Sequence, residues 1–133
     1  MEYLTAEQIL LIHSLAIDET GGGHGVRDYH PILTLVDLPR QQVFGQELYP
    51  TIFLKAAVYA RNIITAHPFI DGNKRTGMLT AVVFLENNEY RFIAPPGAVE
   101  QFALRVATER NINVEKKFHR TRTTSSRLSR LAE

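Results

Sequence analysis

Pro68 and Gly72 interrupt two strong helical patterns four residues apart, and this junction constrains the fold more than any other feature of the chain. On the N-terminal side, Ile52, Ala56, Tyr59 and Ile63 fall at i, i+4, i+7 and i+11 and form one apolar stripe. Pro50 is placed to start this helix. Pro68 should end it, because the residue before a proline avoids helical angles. Gly72 then permits a tight turn. A second helix should run from about Asn73 to Asn87, with Met78, Leu79, Val82, Val83 and Leu85 supplying buried faces. It is apolar over much of its circumference, which suits the central helix of a domain. Two such helices joined so tightly must fold back on each other, and the polar residues between them must gather at one end.

The rest of the chain agrees with an all-α bundle. Thr5 with Gln8 reads as a capping box, followed by Ile9, Ile12, Leu15 and Ala16 at helical spacing. The pattern predicts a first helix over about 5–18, stopped by Gly21-Gly22-Gly23. Pro31 suits the first turn of a short second helix toward Leu38, which Pro39 ends. Gln41 to Leu48 reads as irregular. Tyr90 to Ile93 suits a short strand or an extended turn, and Pro95-Pro96 breaks the pattern. A fifth helix is expected over 97–110, with Val99, Phe102, Ala103 and Val106 inward. The 133 residues suffice for one core, and no repeat or second domain is visible.

Composition narrows the chemistry. The chain has no cysteine, which excludes disulfides, thiolate zinc sites and a cysteine nucleophile. No apolar run approaches the ~20 residues of a membrane span, and Glu2 stands where a signal peptide would be cationic. The expected location is the cytoplasm, with no membrane partner. The formal net charge of +1 hides an asymmetry. Residues 111–133 hold six of the 15 cations and two of the 14 acids, leaving nine cations against twelve acids elsewhere. The chain therefore reads as one main domain over 1–110 and a basic tail over 111–133, either helical or disordered. Such a tail can attract an acidic partner or nucleic acid, or simply be a solvated terminus. A direct nucleic-acid partner is not expected.

The junction itself carries the chemistry. His67 should sit at or just past a helix end. A histidine titrates near ~6.5, so at neutral pH it can accept a proton from a hydroxyl nucleophile. Alternatively it only caps the helix. Asp71 can serve as a magnesium carboxylate or as an ordinary Asp-Gly turn residue. Asn73 can cap the next helix or donate its amide to a phosphate oxygen. Lys74 offers a point charge and Arg75 a planar fork. Two cations in the first turn of a helix oppose its dipole unless an anion joins them, so the sequence points to a bound anion. Phe69 and Ile70 read as anchors that pack the loop into the core.

The run from His67 to Arg75 resembles the Fic/Doc family. The Fic pattern H-P-F-x-[D/E]-G-N-G-R is followed from His67 through Asn73 and left at Lys74, where Fic proteins have a second glycine. The pattern of the family's Doc (death-on-curing) toxin branch, H-x-F-x-D-x-N-K-R, fits at every fixed position. The flanks are similar too: Leu11-Ile12-His13, the glycine-rich run into Gly25-Val26-Arg27-Asp28, Leu48-Tyr49-Pro50, Thr76-Gly77-Met78 and Phe84-Leu85-Glu86-Asn87. The likeness covers roughly residues 3–108.

The resemblance implies a Fic-type helical fold and nucleotide-dependent modification of a protein hydroxyl. Fic enzymes mostly transfer AMP from ATP. Doc toxins transfer the γ-phosphate of ATP to elongation factor Tu and stop translation, as part of a type II toxin–antitoxin module. On this resemblance His67 activates the target hydroxyl and Asp71 helps hold Mg²⁺. Phe69, Gly72, Asn73, Lys74 and Arg75 form the nucleotide-binding stretch. The expected partner is a Phd-like antitoxin whose disordered segment folds onto the toxin. No inhibitory [S/T]-x-x-x-E-[G/N] helix of the chain's own is found: Ser129 to Glu133 begins the pattern where the chain stops. The loop 21–28 is either a flap that aligns the target, with Arg27 as a contact, or a plain connector. Two further readings stay open: an AMP transferase that tolerates Lys74, and a non-catalytic binding module.

Overall fold

The computed structural model describes residues 1–92 and the strand Phe118–Arg120. The fifth helix expected over 97–110, and all of the tail except 118–120, lie outside the described residues. Four α-helices dominate: α1 (Ala6–Thr20), α2 (His30–Asp37), α3 (Ile52–Ala66) and α4 (Asn73–Asn87). A single 3₁₀ turn, Leu38–Arg40, follows α2. Two small antiparallel ladders complete the described part, β1 (Gln42–Val43) with β2 (Gln46–Glu47), and β3 (Tyr90–Phe92) with β4 (Phe118–Arg120). The fold is thus mostly helical.

Each helix begins as its sequence dictates, with one shift. The capping box at Thr5 is complete: Gln8 N–H donates to Thr5 Oγ1 at 3.1 Å, and Thr5 N–H donates to Gln8 Oε1 at 2.8 Å. Helix α3 starts after Pro50 rather than at it. Thr51 is the N-cap, its Oγ1 accepting from Leu54 N–H at 3.1 Å, so the proline only directs the chain into the cap.

Two short strands replace the irregular stretch expected over 41–48. The turn between them places both central residues, Phe44 (φ 52°) and Gly45 (φ 78°), in the left-handed region. Two positive φ values are what the type I′ two-residue hairpin turn requires. Phe-Gly lacks the Asn-Gly signature of such turns, so the hairpin was not visible. A buried lysine anchors it. Lys55 on α3 is 1% exposed, and its Nζ donates to Pro39 O and to Glu47 Oε1, both at 2.9 Å. Of the two options for residues 90–93, the strand is the one found. Residues 118–120 also form a strand, where the tail was expected to be helical or disordered.

Helix α4 lies in the middle, as its apolar circumference requires. Met78, Ala81, Phe84 and Leu85 are buried against Ala56, Tyr59, Ala60 and Ile63 of α3. Gly77 sets the approach of the two helices. A Cβ there would stand 2.7 Å from Ile64 Cγ1 and 2.9 Å from the Ala60 carbonyl oxygen. The wholly buried Tyr59 stacks at a tilt on Phe84, ring centroids 4.9 Å apart, and its Oη accepts from Leu4 N–H at 3.1 Å. Burial pushes this phenol's pKa up to about 12, so it stays neutral. The N-terminus is tied to the far end of α4: Asn88 Oδ1 accepts from Glu2 N–H, and Asn88 Nδ2 donates to Glu2 O. The bundle therefore holds the α3–α4 junction at its opposite end.

Candidate active site

The C-terminus of α3 ends on His67. The residue adopts the left-handed conformation, φ 51° and ψ 57°, and its N–H closes the last turn on Ile63 O at 3.2 Å. Helices often terminate this way, but usually on glycine or asparagine. A histidine placed there leaves the helix axis, and its side chain is exposed.

The next residues lie beside the segment from the glycine-rich loop. Val26 and Phe69 form an antiparallel bridge. Arg27 and Asp28 N–H both donate to Pro68 O, at 2.7 and 3.0 Å, and Ile70 N–H donates to Gly25 O at 2.9 Å. Side chains alternate along extended backbone. Phe69 therefore points inward, 1% exposed, and Ile70 points outward, 61% exposed. The expectation that both anchor the loop is corrected for Ile70, which lies over Gly25. A Cβ on Gly25 would meet Ile70 Cδ1 at 2.2 Å, so a larger residue there would push the Ile70 side chain aside. The Phe69 ring is covered by the His13 ring, 3.8 Å away and nearly parallel at 6°. Phe69 thus anchors the loop and does not present its ring to a ligand.

Asn73 braces the same loop from the other side. Its Oδ1 accepts from Phe69 N–H and its Nδ2 donates to Phe69 O, both at 2.9 Å. One amide N–H remains for a ligand. Asp71 is exposed, and its Oδ2 accepts from Gly23 N–H at 2.7 Å. Gly72, φ 75° and ψ 21°, is the N-cap of α4. It offers no side-chain cap, and the first turn holds no acid but does hold Lys74 and Arg75. The N-terminal N–H groups and the positive end of the helix dipole thus lie in the same first turn as two cationic residues. His67, Asp71 and Lys74 are exposed and Gly72, Asn73 and Arg75 half-buried, so six of the seven expected site residues reach the surface within a single turn and its flanks.

The model of the Fic/DOC family matches residues 3–85. The chain belongs to the Fic/DOC family. It is similar to "Toxin Doc" of Mycolicibacterium smegmatis, 37% identical over 93 residues that cover 70% of this chain and 69% of the relative. It is also similar to "Protein kinase doc" of Escherichia phage P1, 26% identical over 96 residues, 72% of this chain and 75% of the relative. Both relatives put it in the Doc branch.

The Fic/DOC motif has supports outside itself that the residues alone did not single out as such. His13 is 4% exposed, and its Nε2 donates to Asp71 O at 2.9 Å. Burial lowers its pKa, because the apolar surroundings disfavour the charged ring. Its position within the Leu11-Ile12-His13 flank was a signal, but its partner 58 residues away was not. Ile17 closes the loop from below: a Cβ on Gly72 would stand 2.9 Å from its Cδ1. Among the described residues, no three histidines or acids cluster as a metal site, and no helix is long and apolar enough to cross a membrane.

Proposed function

We propose that the chain is a Doc-type kinase toxin that transfers the γ-phosphate of ATP to a hydroxyl of a translation factor such as elongation factor Tu. The observation that carries this reading is the open N-terminus of α4. It has a glycine cap, no acid in its first turn and two cations there, directly after a loop that exposes a histidine and a carboxylate. A triphosphate satisfies that arrangement. His67 would take the proton of the target hydroxyl. The hydroxyl oxygen then bonds to the γ-phosphorus, the bond to the β–γ bridging oxygen breaks, and ADP leaves with that electron pair. Positioning and charge stabilisation suffice for such a transfer.

Mg²⁺ fits the donor set. Asp71 offers an exposed hard-oxygen carboxylate with only one oxygen engaged, by Gly23 N–H. Magnesium commonly takes one or two carboxylates and completes its shell with water and phosphate. Bound there, it would neutralise phosphate charge. The name of the phage relative, a protein kinase, supports phosphoryl transfer, and Lys74 supports it over AMP transfer, since it stands where AMP transferases carry glycine. A separate antitoxin, Phd-like, would restrain the enzyme in the cytoplasm.

The test is label transfer. The protein and its His67→Ala variant are mixed with Mg²⁺, elongation factor Tu and, separately, a bacterial lysate, with ATP labelled at the γ- or the α-phosphate. Label arriving only from the γ position, and only with His67, is expected. Label from the α position would make the chain an AMP transferase. Transfer from neither would favour the binding-module reading.

A further inference from the structure

His67 does not hold its own conformation; another loop holds it. The carbonyls of Ala66 and His67 end α3 and lack intrahelical donors. Both are taken by one side chain. Arg27 Nε donates to His67 O at 2.8 Å, and Arg27 Nη2 donates to Ala66 O at 2.7 Å and to His67 O. The backbone N–H groups of Arg27 and Asp28 take the next carbonyl, Pro68 O. Three consecutive carbonyls are thus fixed by residues 27 and 28. The guanidinium also sets a positive charge at the negative end of the α3 dipole. This turns the fork of Arg27 onto the helix end, not outward as a target contact.

We propose that Arg27 is a positioning residue for the transfer reaction, acting through His67: its fork keeps the His67 backbone left-handed and so aims the imidazole at the incoming hydroxyl. The inference rests on the reading of His67 as the general base. The left-handed state is unfavourable for a non-glycine residue. Without its clamp, the backbone at 67 has lower-energy alternatives, each of which swings the ring elsewhere. A general base must lie within hydrogen-bond reach of the proton it removes, and a displacement of about 1 Å can cost about 100-fold in rate. Lysine cannot replace the fork, since its single ammonium does not span two carbonyls in a plane.

The experiment compares wild type, Arg27→Ala, Arg27→Lys, His67→Ala and the double variant Arg27→Ala/His67→Ala, each first checked by its melting transition to be folded at the assay temperature. Two readouts are made. Histidine-selective ¹³C/¹⁵N labelling reports the Cα and Cβ shifts of His67, with His30 on α2 as the control. Label transfer from γ-labelled ATP gives kcat and KM for ATP. We expect Arg27→Ala to move the His67 shifts away from left-handed values while His30 stays put. Its kcat should fall about 10–100-fold with KM for ATP nearly unchanged. Arg27→Lys should fall between wild type and Arg27→Ala, and the double variant should be no slower than His67→Ala alone. Left-handed His67 shifts in a folded Arg27→Ala protein, or wild-type kcat in it, would overturn the proposal. Full transfer by His67→Ala would instead remove the base reading, and with it Arg27's catalytic role, while the shifts still report whether Arg27 holds the backbone.

Discussion

The two helix ends that meet at the motif are finished in opposite ways. At the C-terminus of α3 the orphan carbonyls of Ala66 and His67 are closed by Arg27. At the N-terminus of α4 the cap is Gly72, with no side chain to give, and Lys74 and Arg75 add positive charge to an already positive dipole end. An end whose last carbonyls are taken up by a side chain holds its backbone in place; an end with a glycine cap and no acid in its first turn suits an anion. The first suits a group that must be aimed, and the second suits a group that must bind an anion. The difference separates the two tasks of a transfer site between two helices with only six residues between them.

The sharpest way to break this contrast is to let position 67 relax. In His67→Gly the left-handed conformation no longer carries a Cβ penalty. Transfer should fall by roughly 10²–10⁴-fold through loss of the general base. Stability in urea should rise by about 0.5–1 kcal/mol, as for glycine at other left-handed helix ends. A destabilised His67→Gly protein would mean that the histidine side chain contributes to the fold, and that its geometry is structural rather than catalytic.

The scaffold behind both ends is tested next. Gly77→Ala places a methyl 2.9 Å from the Ala60 carbonyl and 2.7 Å from Ile64 Cγ1. Backbone cannot step aside as a side-chain tip can. We expect a loss of about 1–3 kcal/mol in urea or thermal unfolding, the usual range for overpacking. A neutral result would show that α3 and α4 can slide, and the junction would then be less rigid than its hydrogen bonds imply.

At the open end, Lys74→Ala should weaken ATP binding by about 5–10-fold in calorimetry, with unfolding changed by no more than about 0.5 kcal/mol. The lysine is exposed and engaged in none of the hydrogen bonds that brace the loop. Equal ATP affinity in the variant would remove Lys74 from the phosphate site, and with it the argument drawn from its replacement of glycine.

Much of this arrangement was legible in the residues because it is local. The stripe at Ile52, Ala56, Tyr59 and Ile63, the break at Pro68 and the restart after Gly72 are set by neighbours in the chain, and so were the helices they predict. The capping box at Thr5 belongs to the same class. What escaped was non-local or conformational. Arg27 to His67 spans 40 residues and His13 to Asp71 spans 58, and no periodicity encodes either pairing. The hairpin at Phe44-Gly45 failed for another reason: its turn uses a left-handed phenylalanine, which turn preferences do not anticipate. Ile70 was misread because the bridge between Val26 and Phe69 turns Phe69 inward and leaves its neighbour outside, while composition alone treats Phe69 and Ile70 alike.

The smallest effect concerns the base of the loop, where His13 donates to Asp71 O beneath the stacked Phe69 ring. Burial lowers the pKa of His13 from 6.5, so the folded protein keeps it neutral where the unfolded chain would protonate it. Between the lowered pKa and 6.5 the unfolded state therefore binds more protons, and stability must fall as pH falls through that window. Above 6.5 both states hold a neutral ring and the contribution is complete and constant. Denaturant titrations of wild type and His13→Gln from neutral to mildly acid pH isolate the term. Glutamine keeps an N–H donor for Asp71 O but cannot titrate. The wild type should lose more stability than the variant on acidification, although the variant starts lower because it loses the ring stacked on Phe69. Parallel curves for the two proteins would mean that His13 takes up its proton as readily folded as unfolded. The loop floor would then tolerate a charge, and the apolar seal under Asp71 would not be what keeps that carbonyl in place.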